Sequence, residues 1–148
     1  MNRQDTLNDY AAMFAGFSPE ELAKLDRLCA PDIVFRDPFH EVTGLEAMRR
    51  VFLSMFRLFD APSFVVHDRG LGSDHGFILW SFDGGVRAGG KLQFDGTTTL
   101  LFDGLGRVAR HVDHWDAASA VHARLPLLGR VVRLINARIT AATRNPAR

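Results

Sequence analysis

Four strand-like runs separated by short glycine-containing turns constrain the fold of this chain more than any other feature. The runs cover about 63–70, 75–83, 90–102 and 107–116, and each gap between them contains at least one glycine or lies beside one. Connections this short join antiparallel neighbours, whereas a parallel pair needs a crossover of about a dozen residues or more. The second half of the chain is therefore predicted to form an antiparallel sheet.

Helical spacing of apolar residues is typical of the first 60 positions instead. Residues 4–15 carry one apolar stripe, and Ser18 begins a second helix that is predicted to end at Pro31. A short strand at 33–37 follows, and a third helix is predicted between Gly44 and Pro62. Helices and strands that are segregated in this way indicate an α+β fold. A curved, antiparallel or mixed sheet wrapped around the helices would enclose a cone-shaped pocket, with Gly96 as a position where a long strand could bend.

The charge of the chain is unevenly distributed, although the net charge is only +1 and gives no general case for nucleic-acid binding. All 17 acidic residues lie in 1–116 against 12 basic ones, whereas 117–148 contains six arginines and no acid. Its 148 residues fit a single domain, with 117–148 as a basic amphipathic helical extension interrupted at Pro126 and Gly129. That helix could pack over the domain, dock on a partner subunit or lie on an anionic membrane surface, and the acidic body favours the first two.

The single cysteine and the lack of long apolar runs indicate the cellular compartment in which the protein is expected. Cys29 excludes an intramolecular disulfide framework and is expected to be a small core residue. No segment approaches the roughly 18 apolar residues of a membrane span, and the first residues lack the apolar run of a signal peptide. A cytoplasmic protein is the expectation.

The strand ending at Asp116 carries an unusual set of side chains. Because strand side chains alternate between two faces, His111, Asp113 and Trp115 share one face. A carboxylate is costly to bury without a partner, so this face is predicted to line a pocket rather than a plain apolar core. The alternative is a structural polar pair buried under the C-terminal helix. Asp116 is interpreted as the N-cap of that helix.

A second candidate carboxylate is Asp37, which shares a face with Ile33 and Phe35 and precedes a proline. A carboxylate among apolar neighbours suits a general base, although an Asp-Pro pair can equally begin a turn. Tyr10 could donate to a ligand oxygen or simply pack, and His40 at the pocket rim could bind substrate or face water.

Large aromatic residues are the candidate walls of the pocket. Trp80 and Trp115 could flank a ring-shaped ligand, or they could be plain core. The other residues assigned to substrate binding are Phe35, Phe56 and Thr98. His40, His111 and Asp113 could form a metal site only if the fold brought them together, and no short metal-ligand motif supports one. We therefore expect neither a metal nor another cofactor.

Four local motifs resemble the nuclear transport factor 2-like (NTF2-like) superfamily, in particular its SnoaL-like polyketide cyclase and ketosteroid isomerase-like branches. They are Phe-Arg-Asp-Pro at 35–38, Thr-Gly-Leu-Glu-Ala-Met at 43–48, the Asp-Gly-Leu-Gly turn within 101–108, and His-Val-Asp-His-Trp-Asp at 111–116. The resemblance covers about residues 5–117. The fold hosts enzymes and non-catalytic binders alike, so the resemblance is more specific for fold than for activity.

The resemblance implies roles for several residues. Asp37 matches the general base of ketosteroid isomerases and Tyr10 their first oxyanion donor, whereas Thr98 stands where the second, acidic donor would lie. The last strand is polar at His111 and Asp113 where the isomerases are apolar. These departures weaken the case for steroid isomerisation itself.

The resulting hypothesis is a cofactor-independent isomerase, cyclase or dehydratase. Asp37 or the His111–Asp113 pair would abstract a proton next to a carbonyl of a hydrophobic substrate, and Tyr10 would stabilise the developing oxyanion. The alternative is a non-catalytic module that binds a small hydrophobic ligand in the same pocket. Either form is expected to be a homodimer that pairs through its sheet.

Overall fold

The computed structural model of the chain describes residues 2–86, 90–121 and 126–144. The chain divides into two compact units, Met1–Trp115 and Asp116–Arg148. Within the described residues, the first unit contains six strands and three N-terminal helices, and the second contains two helices.

The first helix forms as the apolar spacing predicts. Helix α1 spans Arg3–Ala15, and the side chain of Asn2 caps it by accepting a hydrogen bond from the Asp5 backbone N–H at 2.8 Å. A 3₁₀ turn at Glu21–Lys24 and helix α2 at Leu25–Leu28 follow.

The second helix ends three residues earlier than the sequence pattern predicts. Strand β1 spans Cys29–Arg36, so Cys29 and Pro31 belong to a strand. The ladder between β1 and β6 is irregular between Cys29 and Val34. Proline lacks a backbone N–H, and it is tolerated in a strand where the regular ladder is interrupted. Pro31 therefore interrupts the pairing of β1 rather than ending the helix.

A short strand that the sequence pattern did not predict follows the turn after β1. Strand β2 spans Glu41–Thr43 and pairs antiparallel with β1. Three residues are too few to produce a recognisable periodicity. Helix α3 then spans Leu45–Leu58 after Gly44, whose φ of 98° lies in the left-handed region that favours glycine.

The four predicted strands are confirmed as β3 (Phe59–Leu71), β4 (His75–Val86), β5 (Lys91–Phe102) and β6 (Val108–Trp115). They pair antiparallel in sequence order, and β1 joins β6 in parallel, which makes the sheet mixed. The strand order is β2-β1-β6-β5-β4-β3. Helix α3 contacts both β1 and β3, which lie near opposite ends of this order, so the sheet curves around the helices without closing.

The core of the first unit lies between α1, α3 and the concave face of the sheet. Its fully buried side chains are mostly apolar, and they include Leu7, Met13, Ile33, Phe35, Met48, Ile78, Phe82 and Leu100. Three polar residues are buried among the described positions, namely Thr6, Thr98 and His111. Two of these three lie on the strands that carry the candidate site.

The second unit contains helices α4 (Ala117–Ala120) and α5 (Pro126–Arg144). The Asp116 side chain accepts a hydrogen bond from the Ser119 backbone N–H at 3.0 Å, which confirms the predicted N-cap. Pro126 begins α5, as suits a proline at a first helical position, and Gly129 does not interrupt it, contrary to the prediction. None of the helices in the described ranges is long and apolar enough to cross a membrane.

Candidate functional site

His111 is the centre of the candidate site, and it is fully buried on β6. Its ring lies among aromatic neighbours, with the Phe35 ring centroid 4.9 Å away and that of Phe52 5.9 Å away. The hydroxyl of Tyr10, on α1, lies 2.8 Å from His111 Nδ1. Either the hydroxyl donates to a bare Nδ1 or a protonated Nδ1 donates to the hydroxyl, and both arrangements fix the ring orientation.

Asp113 lies on the other side of His111. Its Oδ1 accepts a hydrogen bond of 2.5 Å from the Thr98 hydroxyl, which in turn accepts one of 2.8 Å from the indole N–H of Trp80. The register places Thr98 directly opposite Asp113 in the β5–β6 ladder. Trp80 and Thr98 therefore form a chain of hydrogen-bond donors that ends on one carboxylate oxygen of Asp113.

The contact between His111 and Asp113 is close but is not a directed hydrogen bond. His111 Nε2 lies 2.8 Å from Asp113 Oδ1, but the geometry of its N–H does not satisfy a hydrogen bond, and Nε2 is a buried nitrogen without such a partner among the described residues. The second carboxylate oxygen, Oδ2, has no hydrogen bond within the described part of the chain. The Asp113 side chain is 15% exposed, so this carboxylate is reachable while His111 is not.

Burial raises the pKa values of two groups beside this row of hydrogen bonds. It raises the pKa of the Tyr10 hydroxyl well above its ordinary value, and the nearby Cys29 thiol and Asp113 carboxylate add to the effect. Burial also raises the pKa of Cys29 to about 12, against a hydrogen bond with Tyr10 that lowers it. Both groups therefore stay protonated near neutral pH, and neither is an available nucleophile.

Half-buried aromatic side chains extend the site from Asp113 towards solvent. Trp115 stacks on Phe94 with a centroid distance of 4.2 Å and an interplanar angle of 22°. Phe94 also contacts Trp80, and Phe64 meets Trp80 edge-on at 5.3 Å. Phe64, Phe94 and Trp115 are each partly exposed, so they form an accessible aromatic wall on the concave side of the sheet.

Asp37 lies in a turn that engages its carboxylate. Oδ1 accepts hydrogen bonds from the backbone N–H groups of Phe39 and His40, at 2.7 and 2.6 Å, and the His40 imidazole Nδ1 lies 3.0 Å from both oxygens. These contacts fit the turn interpretation of the Asp-Pro pair. The Phe39 ring meets Trp115 edge-on at 5.5 Å, which brings this turn beside the aromatic wall.

The structure brings five of the sequence-predicted site residues into one connected row: Tyr10, His111, Asp113, Thr98 and Trp80. Of the remaining predicted residues, Phe35 is buried against His111, Phe56 stacks on Phe17 at 4.8 Å, and His40 is exposed. Sequence reasoning missed the contact of Cys29 with Tyr10, because the pattern placed Cys29 in a helix. It also missed Phe94, although the alternation of β5 places it on the face of Thr98.

The described residues hold no group of three or more His, Cys, Asp or Glu side chains placed to bind a metal ion. A separate open groove of about 210 Å³ lies on the opposite, convex face of the sheet. It is lined by His75, Thr99, Leu101, Arg110 and Val112. These side chains point away from Asp113, so the groove is not part of the candidate site.

Solved structures share this fold at low sequence identity. An NTF2-like protein from Burkholderia thailandensis E264 superposes with a TM-score of 0.72 at 16% identity, over 85% of this chain and 99% of the other. A protein assigned as a SnoaL-like polyketide cyclase from Jannaschia sp. CCS1 gives 0.68 at 13%, over 78% and 88%. A protein of ketosteroid isomerase-like fold from Catenulispora acidiphila DSM 44928, in complex with trimethylamine, gives 0.66 at 18%, over 78% and 88%. The fold is therefore NTF2-like.

The profile of the SnoaL-like domain matches residues 10–111, which is more than half of the chain. The protein thus belongs to the SnoaL-like domain family, and the resemblance inferred from the four local motifs is confirmed. A search among curated proteins found no match.

Proposed function

We propose that this protein is a cofactor-independent enzyme that abstracts a proton next to a carbonyl of a hydrophobic substrate, with Asp113 as the base. The observation that carries the proposal is the difference between the two carboxylate oxygens of Asp113. Thr98 holds Oδ1, whereas Oδ2 has no hydrogen bond among the described residues and belongs to a side chain that solvent reaches. A base needs such a free, positioned lone pair within reach of the substrate proton.

The surroundings of Asp113 suit an apolar substrate. Trp115, Phe94 and Phe64 supply flat rings that bind a ring-shaped or planar compound through apolar contact. In the proposed step, Oδ2 takes the proton from the α-carbon, the C–H electron pair forms the enolate, and the proton returns to the product. Tyr10 and Thr98 act as positioning residues, because the first orients His111 and the second orients Asp113.

Asp37 is the weaker candidate for the base. Two backbone N–H groups and the His40 imidazole already occupy its carboxylate, so its lone pairs are less available to a substrate proton. Asp37 therefore serves as an internal comparison for Asp113, since the two carboxylate side chains are similarly exposed, at 14% and 15%.

Hydrogen–deuterium exchange tests the proposal without knowledge of the natural substrate. The probe is 2-tetralone, a bicyclic ketone, whose α-protons exchange in D₂O and are followed by proton NMR. We expect the wild-type protein to accelerate exchange above buffer and Asp113→Asn to lower that acceleration about 100-fold or more. Asp37→Asn should lower it less than about tenfold, and the thermal midpoint of each variant checks folding. The reverse pattern would make Asp37 the base.

A second candidate function, a non-catalytic binding module, is favoured by one specific observation. The two hydroxyl groups of the site are already engaged, Tyr10 with His111 and Thr98 with Asp113, and both residues are buried. An enzyme of this type needs a donor aimed at the developing oxyanion, whereas a binder does not. Saturable quenching of tryptophan fluorescence by 2-tetralone, with no acceleration of exchange, would favour the binding module.

We also propose that the protein forms a homodimer through the convex face of its sheet. Three large apolar side chains on this face of β3 and β4 are exposed by 42–56%, namely Val65, Phe77 and Leu79. Exposed apolar residues grouped on one face are typical of protein interfaces. Light scattering after size exclusion should give a dimer mass for the wild-type protein and a monomer mass for a Phe77→Ser, Leu79→Ser variant.

A further inference from the structure

Helix α5 carries an exposed apolar stripe that the proposed activity does not use. The α5 stripe consists of Val131, Leu134, Ile135 and Ile139, which are 51–60% exposed. These positions lie three or four residues apart around the helix, so they share one face. Exposed large apolar groups on one helical face indicate a surface that binds something apolar.

The charge of this segment favours an anionic partner. Residues 117–148 contain six arginines and no acidic residue. An amphipathic helix with apolar residues on one face and arginines around them is typical of helices that lie in the plane of a membrane interface. Anionic lipid headgroups attract such a segment at about 1 kcal/mol for each Lys or Arg near the surface.

The position of Arg138 fits a lipid surface, although the acidic residues of 1–116 favour a protein contact from sequence alone. Arg138 follows Leu134 by four residues and Ile135 by three, so it emerges within the α5 stripe, and it is exposed. In the fully buried centre of a protein interface its guanidinium would need carboxylate or carbonyl partners. At a membrane surface its methylene groups run along the apolar side chains while the guanidinium reaches lipid phosphate.

We propose that α5 binds the surface of anionic phospholipid membranes. The α5 stripe enters the boundary between headgroups and acyl chains, and Arg130 and Arg138 contact lipid phosphates. This inference is independent of the chemistry at Asp113, since it concerns a different unit of the chain.

Vesicle co-sedimentation of the full chain tests the proposal. The probes are vesicles of pure phosphatidylcholine and vesicles with 30% phosphatidylglycerol. We expect binding to the anionic vesicles, weakened by raising the salt from 0.1 to 0.5 M, and little binding to the neutral ones. Arg130→Gln with Arg138→Gln should weaken binding about 30-fold, and Leu134→Gln with Ile135→Gln should weaken it at least tenfold.

Matched substitutions in the first unit provide the control. Arg50→Gln and Leu105→Gln remove an exposed arginine and an exposed leucine there, and they should leave vesicle binding unchanged. Circular dichroism of every variant confirms folding. Equal binding to both vesicle types, or none to either, would overturn the proposal. If the α5 substitutions instead change the mass of the particle in solution without affecting vesicles, a second copy of the chain covers the stripe.

Discussion

The packing of Trp80 across Gly96 leads to a quantitative prediction for Gly96→Ala. The two residues are directly opposite in the β4–β5 ladder, and Trp80 is 4% exposed. A Cβ at position 96 would lie 2.3 Å from Trp80 Cη2 and 2.5 Å from Cζ2. Because real Cβ atoms are not found this close to other carbons, the indole ring must move.

The expected loss of stability follows from the contacts that this movement of the indole breaks. Overpacking a well-packed core costs about 1–3 kcal/mol. Displacing the indole also breaks its 2.8 Å hydrogen bond to Thr98, and a buried donor left without a partner costs about 1–3 kcal/mol. Replacing glycine lowers the entropy of the unfolded chain, which raises the free energy of unfolding by about 0.4–1 kcal/mol. We expect Gly96→Ala to lower the free energy of unfolding by about 2–4 kcal/mol, and the melting temperature by about 5–15 °C.

Urea denaturation monitored by circular dichroism measures this effect. Gly70→Ala is the matched control, since no described residue other than the chain neighbours lies within 4 Å of a Cβ at that strand position, and it should raise the free energy of unfolding by about 0.4–1 kcal/mol through the entropy effect alone. In a Trp80→Phe background the alanine should cost at least about 1 kcal/mol less, because the colliding six-membered ring of the indole is gone. Equal stability of Gly96→Ala and Gly70→Ala would refute this packing argument.

Three further predictions concern single side chains. Thr98→Val removes the donor to Asp113 and the acceptor of Trp80, so it should cost about 1–3 kcal/mol of stability and slow the exchange of 2-tetralone, both measured on the same sample. Gly106→Ala, at a φ of 77°, should cost about 1–2 kcal/mol in urea denaturation. Because burial raises the pKa of Cys29 to about 12, the unfolded chain releases this proton first, and stability should fall as the pH rises from about 9 towards 12. The slope from this thiol is at most about 1.4 kcal/mol per pH unit, and Cys29→Ala should remove it.

The fold was largely predictable from local patterns. Helix α1, helix α3 and the four long strands each contain enough residues for a period of 3.6 or 2 to be recognised, and the intervening glycines mark the turns. The errors fall where local signals are weak or ambiguous. Pro31 is typical of a helix end, yet it lies in an irregular part of β1, and three-residue β2 leaves no periodicity.

The candidate site was also predictable only where a local pattern determines it. Strand alternation alone determined that His111, Asp113 and Trp115 share a face, because the side-chain period of a strand is two. Only the tertiary structure decided which partner each side chain meets. Thr98 reaches Asp113 through the register of β5 against β6, and Tyr10 reaches His111 from a helix about a hundred residues away in sequence. The packing of helices on the curved sheet sets those distances, and no local sequence pattern encodes them.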